Sequence, residues 1–143
     1  MPHHISGYWL SHHREAGLDA LPLAWKPCIL LVEDDDVVAL CLNELLEEAG
    51  MEVAGPIGRV ADAVALIEQK TVPIAAAVLD LDLHGELSYP VADALTRHGI
   101  RFVFTTGHPA ERLDAAYHHH PRCEKPFQER ALLDALARIV VAA

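Results

Sequence analysis

Cys28-Ile29-Leu30-Leu31-Val32-Glu33-Asp34-Asp35-Asp36 is the stretch that decides how the chain is read. Five apolar residues, rich in leucine and β-branched side chains, run directly into four acids. A run so short, with both alternating faces apolar, suits a strand covered on both sides, as in a parallel sheet with helices above and below. The acids cannot enter such a core, so the strand stops there and its tip carries Glu33 and Asp34. Asp35 or Asp36 then caps a helix, because a carboxylate in that place accepts the free amides of a first turn.

The same alternation continues outward. Val38, Cys41, Leu42, Leu45, Leu46 and Ala49 recur at helical spacing, and Gly50 ends that helix. Met51 to Ala54 reads as a second strand, closed by Gly55-Pro56, and Val60, Val64 and Ile67 mark a second helix. Ile74 to Leu79 is a third strand, and Val91, Ala94 and Leu95 follow on a third helix with Pro90 in its first turn and Gly99 at its end. Ile100 to Thr105 is a fourth strand, Ala110 to Tyr117 a short helix, and Arg122 to Glu124 a brief strand. Leu132, Leu133, Leu136, Ile139 and Val140 give a last amphipathic helix. Strands alternating with helices imply an α/β fold, a parallel sheet with helices on both faces joined by right-handed crossovers. Ligands of such sheets sit beyond the carboxyl ends of the strands. Glu33, Asp34, Asp80, Thr106 and Lys125 all fall at or just past those ends.

Bulk properties narrow the classes. With 143 residues, 52% of them apolar, the chain has enough material for one domain with its own core, and wholesale disorder is excluded. A formal net charge of −10 argues against a nucleic-acid surface, which needs clustered Lys and Arg. Residues 1–26 hold both tryptophans and four of the ten histidines with no clear period, and read as an N-terminal extension, possibly flexible, to a domain spanning 27–143. Arg14 and Lys26 balance Glu15 and Asp19, so the net charge belongs to that domain. Cys28, Cys41 and Cys123 show no C-x-x-C spacing and read as buried thiols in a reducing cytosol. No apolar stretch is long enough to span a membrane and no signal-peptide pattern opens the chain, so the expectation is a cytoplasmic protein with no membrane partner.

The charged marks carry the chemistry. Carboxylates gathered at one sheet edge repel and raise each other's pKa unless a cation lies among them. A hard, oxygen-seeking ion such as Mg²⁺ removes that conflict while keeping several waters. Asp80, in Val78-Leu79-Asp80-Leu81-Asp82-Leu83, can act as a nucleophile and form an acyl phosphate. Lys125 supplies a point charge for phosphoryl oxygens and Thr106 a hydroxyl. The histidine run His118-His119-His120 reads as exposed loop, since no second ligand group stands at metal-site spacing.

Taken in order, Ile29-Leu30-Leu31-Val32-Glu33-Asp34-Asp35, Val78-Leu79-Asp80, Phe104-Thr105-Thr106-Gly107 and Glu124-Lys125-Pro126-Phe127 resemble the receiver domain of bacterial two-component response regulators. The resemblance covers residues 27–143. It implies a flavodoxin-like five-stranded sheet of order 2-1-3-4-5, and it implies that Asp80 is the phosphoacceptor. Asp34 would bind Mg²⁺ directly, Glu33 through water and Asp82 through its backbone carbonyl, while Thr106 and Lys125 would follow the phosphoryl group. The stretch Leu83 to Ala92, followed by Phe102-Val103-Phe104-Thr105-Thr106-Gly107-His108, is similar to stand-alone receivers with a Phe-x-Phe-Ala-Thr-Gly-Tyr fourth strand, with Thr105 for Ala and His108 for Tyr. Members of that subgroup tend to partner with atypical sensor histidine kinases. The implied partners are a sensor histidine kinase or phosphotransfer protein and an unidentified downstream protein target. The residue three places before the lysine, aromatic in many receivers, is Arg122 here, which puts the usual coupling of hydroxyl movement to ring rotation in doubt. With no effector domain after the last helix, output by protein contact is expected.

Two other classes compete. Asp80-Leu81-Asp82 after a strand also resembles the nucleophile motif of haloacid-dehalogenase-type phosphatases, with Asp82 as general acid and base. Against that reading stand the short chain, the missing cap insertion and an acidic pair that precedes the nucleophile strand. A degenerate receiver that binds partners without phosphorylation is disfavoured because all five site positions hold competent residues.

Overall fold

The computed structural model of the chain describes residues 26–107, 113–126 and 128–141. In chain order the elements are β1 (Cys28–Val32), α1 (Asp36–Glu48), β2 (Glu52–Ile57), α2 (Val60–Gln69), β3 (Ala76–Asp80), β4 (Asp82–Leu83), β5 (Glu86–Leu87), α3 (Tyr89–Arg97), β6 (Phe102–Thr106), a 3-10 turn (Ala115–Tyr117), β7 (Arg122–Glu124) and α4 (Glu129–Val141). The main sheet runs β2-β1-β3-β6-β7, all parallel, which is the order 2-1-3-4-5 of a flavodoxin-like α/β fold.

Alternation along the strands explains the layering. Ile29 and Leu31 of β1, with Val78 and Val103, face one side, where Leu42, Leu46, Leu132 and Leu136 of α1 and α4 cover them. Leu30, Val32, Leu79, Phe102 and Phe104 face the other side and pack on Ile67 of α2 and Leu95 of α3. Ile29, Leu30, Leu31 and Val32 are fully inaccessible to solvent, so the two-sided apolar run has the structure its pattern required. Asp35 is the cap of α1, its Oδ1 accepting the Val37 and Val38 amides at 2.9 and 3.1 Å.

Three local expectations need correction. The second strand does not close at Gly55-Pro56 but runs through it to Ile57. A bulge against β1 between Leu30 and Val32 absorbs the irregularity. Gly55, at φ +110°, lies so close to β1 that a Cβ there would come within 2.6 Å of the Leu31 carbonyl oxygen. Second, the helix expected over Ala110 to Tyr117 is a 3-10 turn, Ala115–Tyr117, in its described part, and residues 108–112 lie outside the described residues. Its apolar content is spent on ring contacts: Tyr117 stacks on Tyr89 with centroids 4.2 Å apart and meets Phe104 edge-on. Third, a two-stranded hairpin, β4–β5, follows the third strand, with His84 and Gly85 both at positive φ in its two-residue loop. The third and fourth strands also end one residue later than their apolar runs, so Asp80 and Thr106 are the last strand residues.

Candidate functional site

Parallel pairing puts the strand tips in line. Val32 pairs with Leu79, Asp80 with Thr105, and Thr106 with Glu124. The residues at or after those positions therefore meet at one edge. The Glu33 amide donates to the Ile57 carbonyl at 3.0 Å, which fixes the turn out of β1. The Lys125 amide donates to the Thr106 carbonyl at 2.7 Å, which holds the lysine beside β6.

Lys125 Nζ then reaches inward. It donates to Glu33 Oε1 at 3.0 Å and to Asp80 Oδ2 at 3.1 Å. The remaining carboxylate oxygens have their own donors: Glu33 Oε2 accepts the Asp35 amide at 3.1 Å, and Asp80 Oδ1 accepts the Asp82 amide at 3.2 Å. Glu33 and Asp80 are 3% and 5% exposed, so both carboxyls are held with little access to bulk water. Asp34 sits nearer the rim and uses Oδ2 to accept the His84 amide at 2.8 Å. Ligand oxygens of Glu33, Asp34 and Asp80 lie within 4.8 Å of one another.

The electrostatics follow from burial and charge count. Burial, together with the neighbouring Asp80 carboxylate, pushes Glu33 up to about 7 despite the opposing Lys125 ammonium. Burial by itself would raise Asp34 too, but the His84 amide and the His84 ring outweigh it and hold that carboxyl below its usual range. Lys125 is lowered by burial and raised more strongly by Glu33 and Asp80, ending above the ordinary lysine value. One ammonium thus contacts two of the three clustered carboxylates, a charge imbalance that a divalent cation relieves. The donor set is all oxygen, which suits Mg²⁺.

Glu33, Asp34, Asp80 and Lys125 are brought together as their sequence positions implied. Thr106 is buried on the last position of β6, strand neighbour to Lys125. Asp82 lies one residue past Leu81, its Oδ1 accepting the Gly85 amide at 2.8 Å and closing the hairpin loop. His108 lies outside the described residues, as do residues 1–25 of the N-terminal extension. Arg122 shares a strand register with Phe104; its Nη2 is 3.6 Å from Glu124 Oε1, and among the described residues its buried Nε has no hydrogen-bond partner. The histidine run is not wholly an exposed loop: His118 Nε2 lies 2.6 Å from the Leu113 carbonyl oxygen, and His120 is half-buried between Phe102 and His119.

Sequence reasoning missed two supports. Ser88, fully buried, donates its hydroxyl to the Asp80 carbonyl at 2.7 Å and so steadies the end of β3. Its place before Tyr89-Pro90 marks it as a helix cap, but its side chain makes no cap bond. The second is the His84 amide on Asp34, whose signal was the X-Gly pair between Leu83 and Glu86 that favours a two-residue hairpin loop.

The fold and its edge put the chain in the class of doubly wound α/β proteins that hold their ligand beyond the carboxyl ends of the strands, here with an acidic cluster consistent with a metal site. Known structures are similar to this chain throughout the domain. The solution structure of SdrG from Sphingomonas melonis Fr1 is 37% identical, with a TM-score of 0.69, covering 82% of this chain and 98% of that one. The BeF3-activated conformation of SdrG from Pseudomonas melonis Fr1 is 36% identical, with a TM-score of 0.67, covering 79% and 95%. A response regulator receiver protein from Sinorhizobium medicae WSM419, 23% identical with a TM-score of 0.72 over 82% and 96%, shares the fold. No protein-family model matches the chain, and no curated protein does. The chain belongs to the receiver-domain family of response regulators. It is a signalling protein of two-component phosphorelays, not an enzyme that turns over a free substrate, and the haloacid-dehalogenase reading is set aside. Membership implies a histidine kinase as partner. Among the described residues no helix is long and apolar enough to cross a membrane.

Proposed function

We propose that Asp80 takes a phosphoryl group from the histidine of a sensor kinase or phosphotransfer protein, in the cytoplasm, and that the phosphorylated form acts by contact with a downstream protein. The observation that carries this reading is the division of the Asp80 carboxylate: Oδ2 faces the Lys125 ammonium at 3.1 Å, and Oδ1 faces the Asp82 amide at 3.2 Å. A carboxylate so oriented is aimed before the donor arrives, which is where most of the rate gain in phosphoryl transfer originates. An Asp80 oxygen attacks phosphorus, the P–N bond to the donor histidine breaks, and the departing imidazole keeps the electron pair.

Glu33, Asp34 and Asp80, with the Asp82 backbone carbonyl, would hold Mg²⁺, which supplies charge neutralisation for the transferring phosphoryl oxygens. Lys125 stays within reach of both acids and follows a phosphoryl oxygen once Asp80 is esterified. The Thr106 hydroxyl donates to another. A relative 36% identical has a BeF3-activated conformation; BeF3 mimics a phosphoryl group on a carboxylate, which supports an aspartyl phosphate here.

Beside Lys125 an apolar groove of about 440 Å³ is lined by Val37, Val38, Cys41, Leu42 and Pro126. Val37 and Leu40 of α1 stand 71% and 59% exposed. This apolar shoulder next to the acceptor supports docking of a kinase helix there. The test is incubation with Mg²⁺ and a small phosphodonor followed by intact-mass analysis. Wild type gains one phosphate and Asp80→Asn gains none; labelling that persists in the variant refutes the assignment.

A further inference from the structure

At the end of the sheet away from Asp80, β6 and β7 begin beside a second hollow, of about 520 Å³. We propose that this hollow binds a small planar anion with an aromatic ring, of the aryl carboxylate class, between Arg101 and the paired rings of His119 and His120.

Four features lead there. The volume suits a small organic molecule. Among the described residues, no carboxylate lines it, although the chain carries a net charge of −10. Among the described residues the Arg101 guanidinium has no ion-pair partner. The walls of the hollow combine rings and aliphatic side chains with a few polar groups. The ring centroids of His119 and His120 stand 3.9 Å apart, and that of His120 lies 4.3 Å from Phe102, with Ile100, Pro121 and Ile139 among the other lining residues and Thr96 the one hydroxyl among those described.

Those rings also explain the preference for an anion. Two imidazoles whose centroids are 3.9 Å apart tolerate one charge poorly and two worse. Burial, and then the charge of His119, hold His120 below the ordinary histidine value. A carboxylate placed against Arg101 and the His119 edge offsets that repulsion, and its ring gains contact with flat apolar neighbours. An aliphatic carboxylate obtains the charge term alone. A doubly charged, ringless ion has no flat face to lay on the His120 ring or on Pro121.

The full chain, without divalent cation, is titrated with sodium benzoate and followed by amide and imidazole NMR shifts. Expected are saturable shifts confined to residues 99–102 and 119–121, with Kd on the order of millimolar for so small a ligand. Arg101→Gln and His119→Ala, both at exposed side chains, each weaken binding about tenfold, and acetate binds at least about tenfold less well than benzoate. Lys70→Gln, a cation elsewhere on the surface, leaves the affinity unchanged. The proposal is overturned by shifts that do not saturate, by affinity that survives both Arg101→Gln and His119→Ala, by equal binding of acetate, or by an equal loss in Lys70→Gln. Shifts centred on Glu33, Asp34 and Asp80 instead would place the anion at the phosphoryl site and overturn it as well. The phosphoacceptor reading stands or falls separately, on mass analysis.

Discussion

Lys125 is the one cation among three acids, and its loss has a calculable direction. In Lys125→Met, Glu33 and Asp80 face each other with no ammonium between them, and breaking a buried pair in this way costs about 3–5 kcal/mol. The expected result is a lowered urea midpoint that Mg²⁺ raises more in the variant than in wild type. Equal Mg²⁺ shifts in the two proteins would mean the cation does not sit among these acids. Glu33 gives a pH signature. Its folded pKa, about 7, lies above the ordinary glutamate value of 4.5, so the folded state holds the extra proton between those values. Stability from this group is full below the lower value and is lost as pH rises through the upper one. Denaturation without divalent cation is expected to show falling stability from about pH 5 to 8, flattened in Glu33→Gln. Asp34, held below its usual range, contributes the opposite slope, but at lower pH. The Glu33 proton also competes with the cation, so Mg²⁺ affinity should rise as pH approaches 7.

Single elements show what the sequence made legible. Glu33, Asp34 and Asp80 were readable because each ends a short run with both faces apolar, the mark of an interior strand, whereas Lys125 follows the mixed run Arg122-Cys123-Glu124 and was readable only from the Lys-Pro pair and its place in the order. The second strand was misjudged at Gly55 because a Gly-Pro pair is ordinarily a turn signal, while here the glycine is needed for close approach to β1. Substitution separates those two uses of glycine. Gly55→Ala forces a Cβ toward the Leu31 carbonyl and should cost on the order of 3 kcal/mol or more. Gly99→Ala, also at positive φ but with open space around it, should cost about 1–2 kcal/mol. Thermal denaturation of the pair reads the difference; similar losses would show that backbone conformation, not crowding, decides at Gly55. The segment before β7 was misjudged for another reason. In its described part Leu113 is buried and Tyr117 is anchored by stacking on Tyr89 and by donating to Asp93 Oδ1 at 2.8 Å, contacts that a 3-10 turn is enough to make. Burial and that acceptor push the Tyr117 hydroxyl up to about 12.

Across the whole molecule, fold and site come from one device, a parallel sheet whose strands all end on the same side. That is why residues far apart in the sequence, Glu33 and Lys125, lie within a hydrogen bond of each other. The family was legible from ordered fragments because each fragment is a strand tip and the sheet supplies the rest. Supports such as Ser88 were not legible, because a buried hydroxyl that steadies a backbone carbonyl leaves no pattern in the sequence.

The strand order has one more result. β3, with Asp80, lies in the middle of the sheet, and β7, which leads into Lys125, lies at its margin. Marginal strands fray before central ones, so brief local openings withdraw the ammonium while the acids stay in place. Amide deuteration should therefore reach Cys123 and Glu124 well before Val78 and Leu79. Esterifying Asp80 gives Lys125 a stronger anchor, so it should slow uptake along the outer strand and leave the inner one as it was.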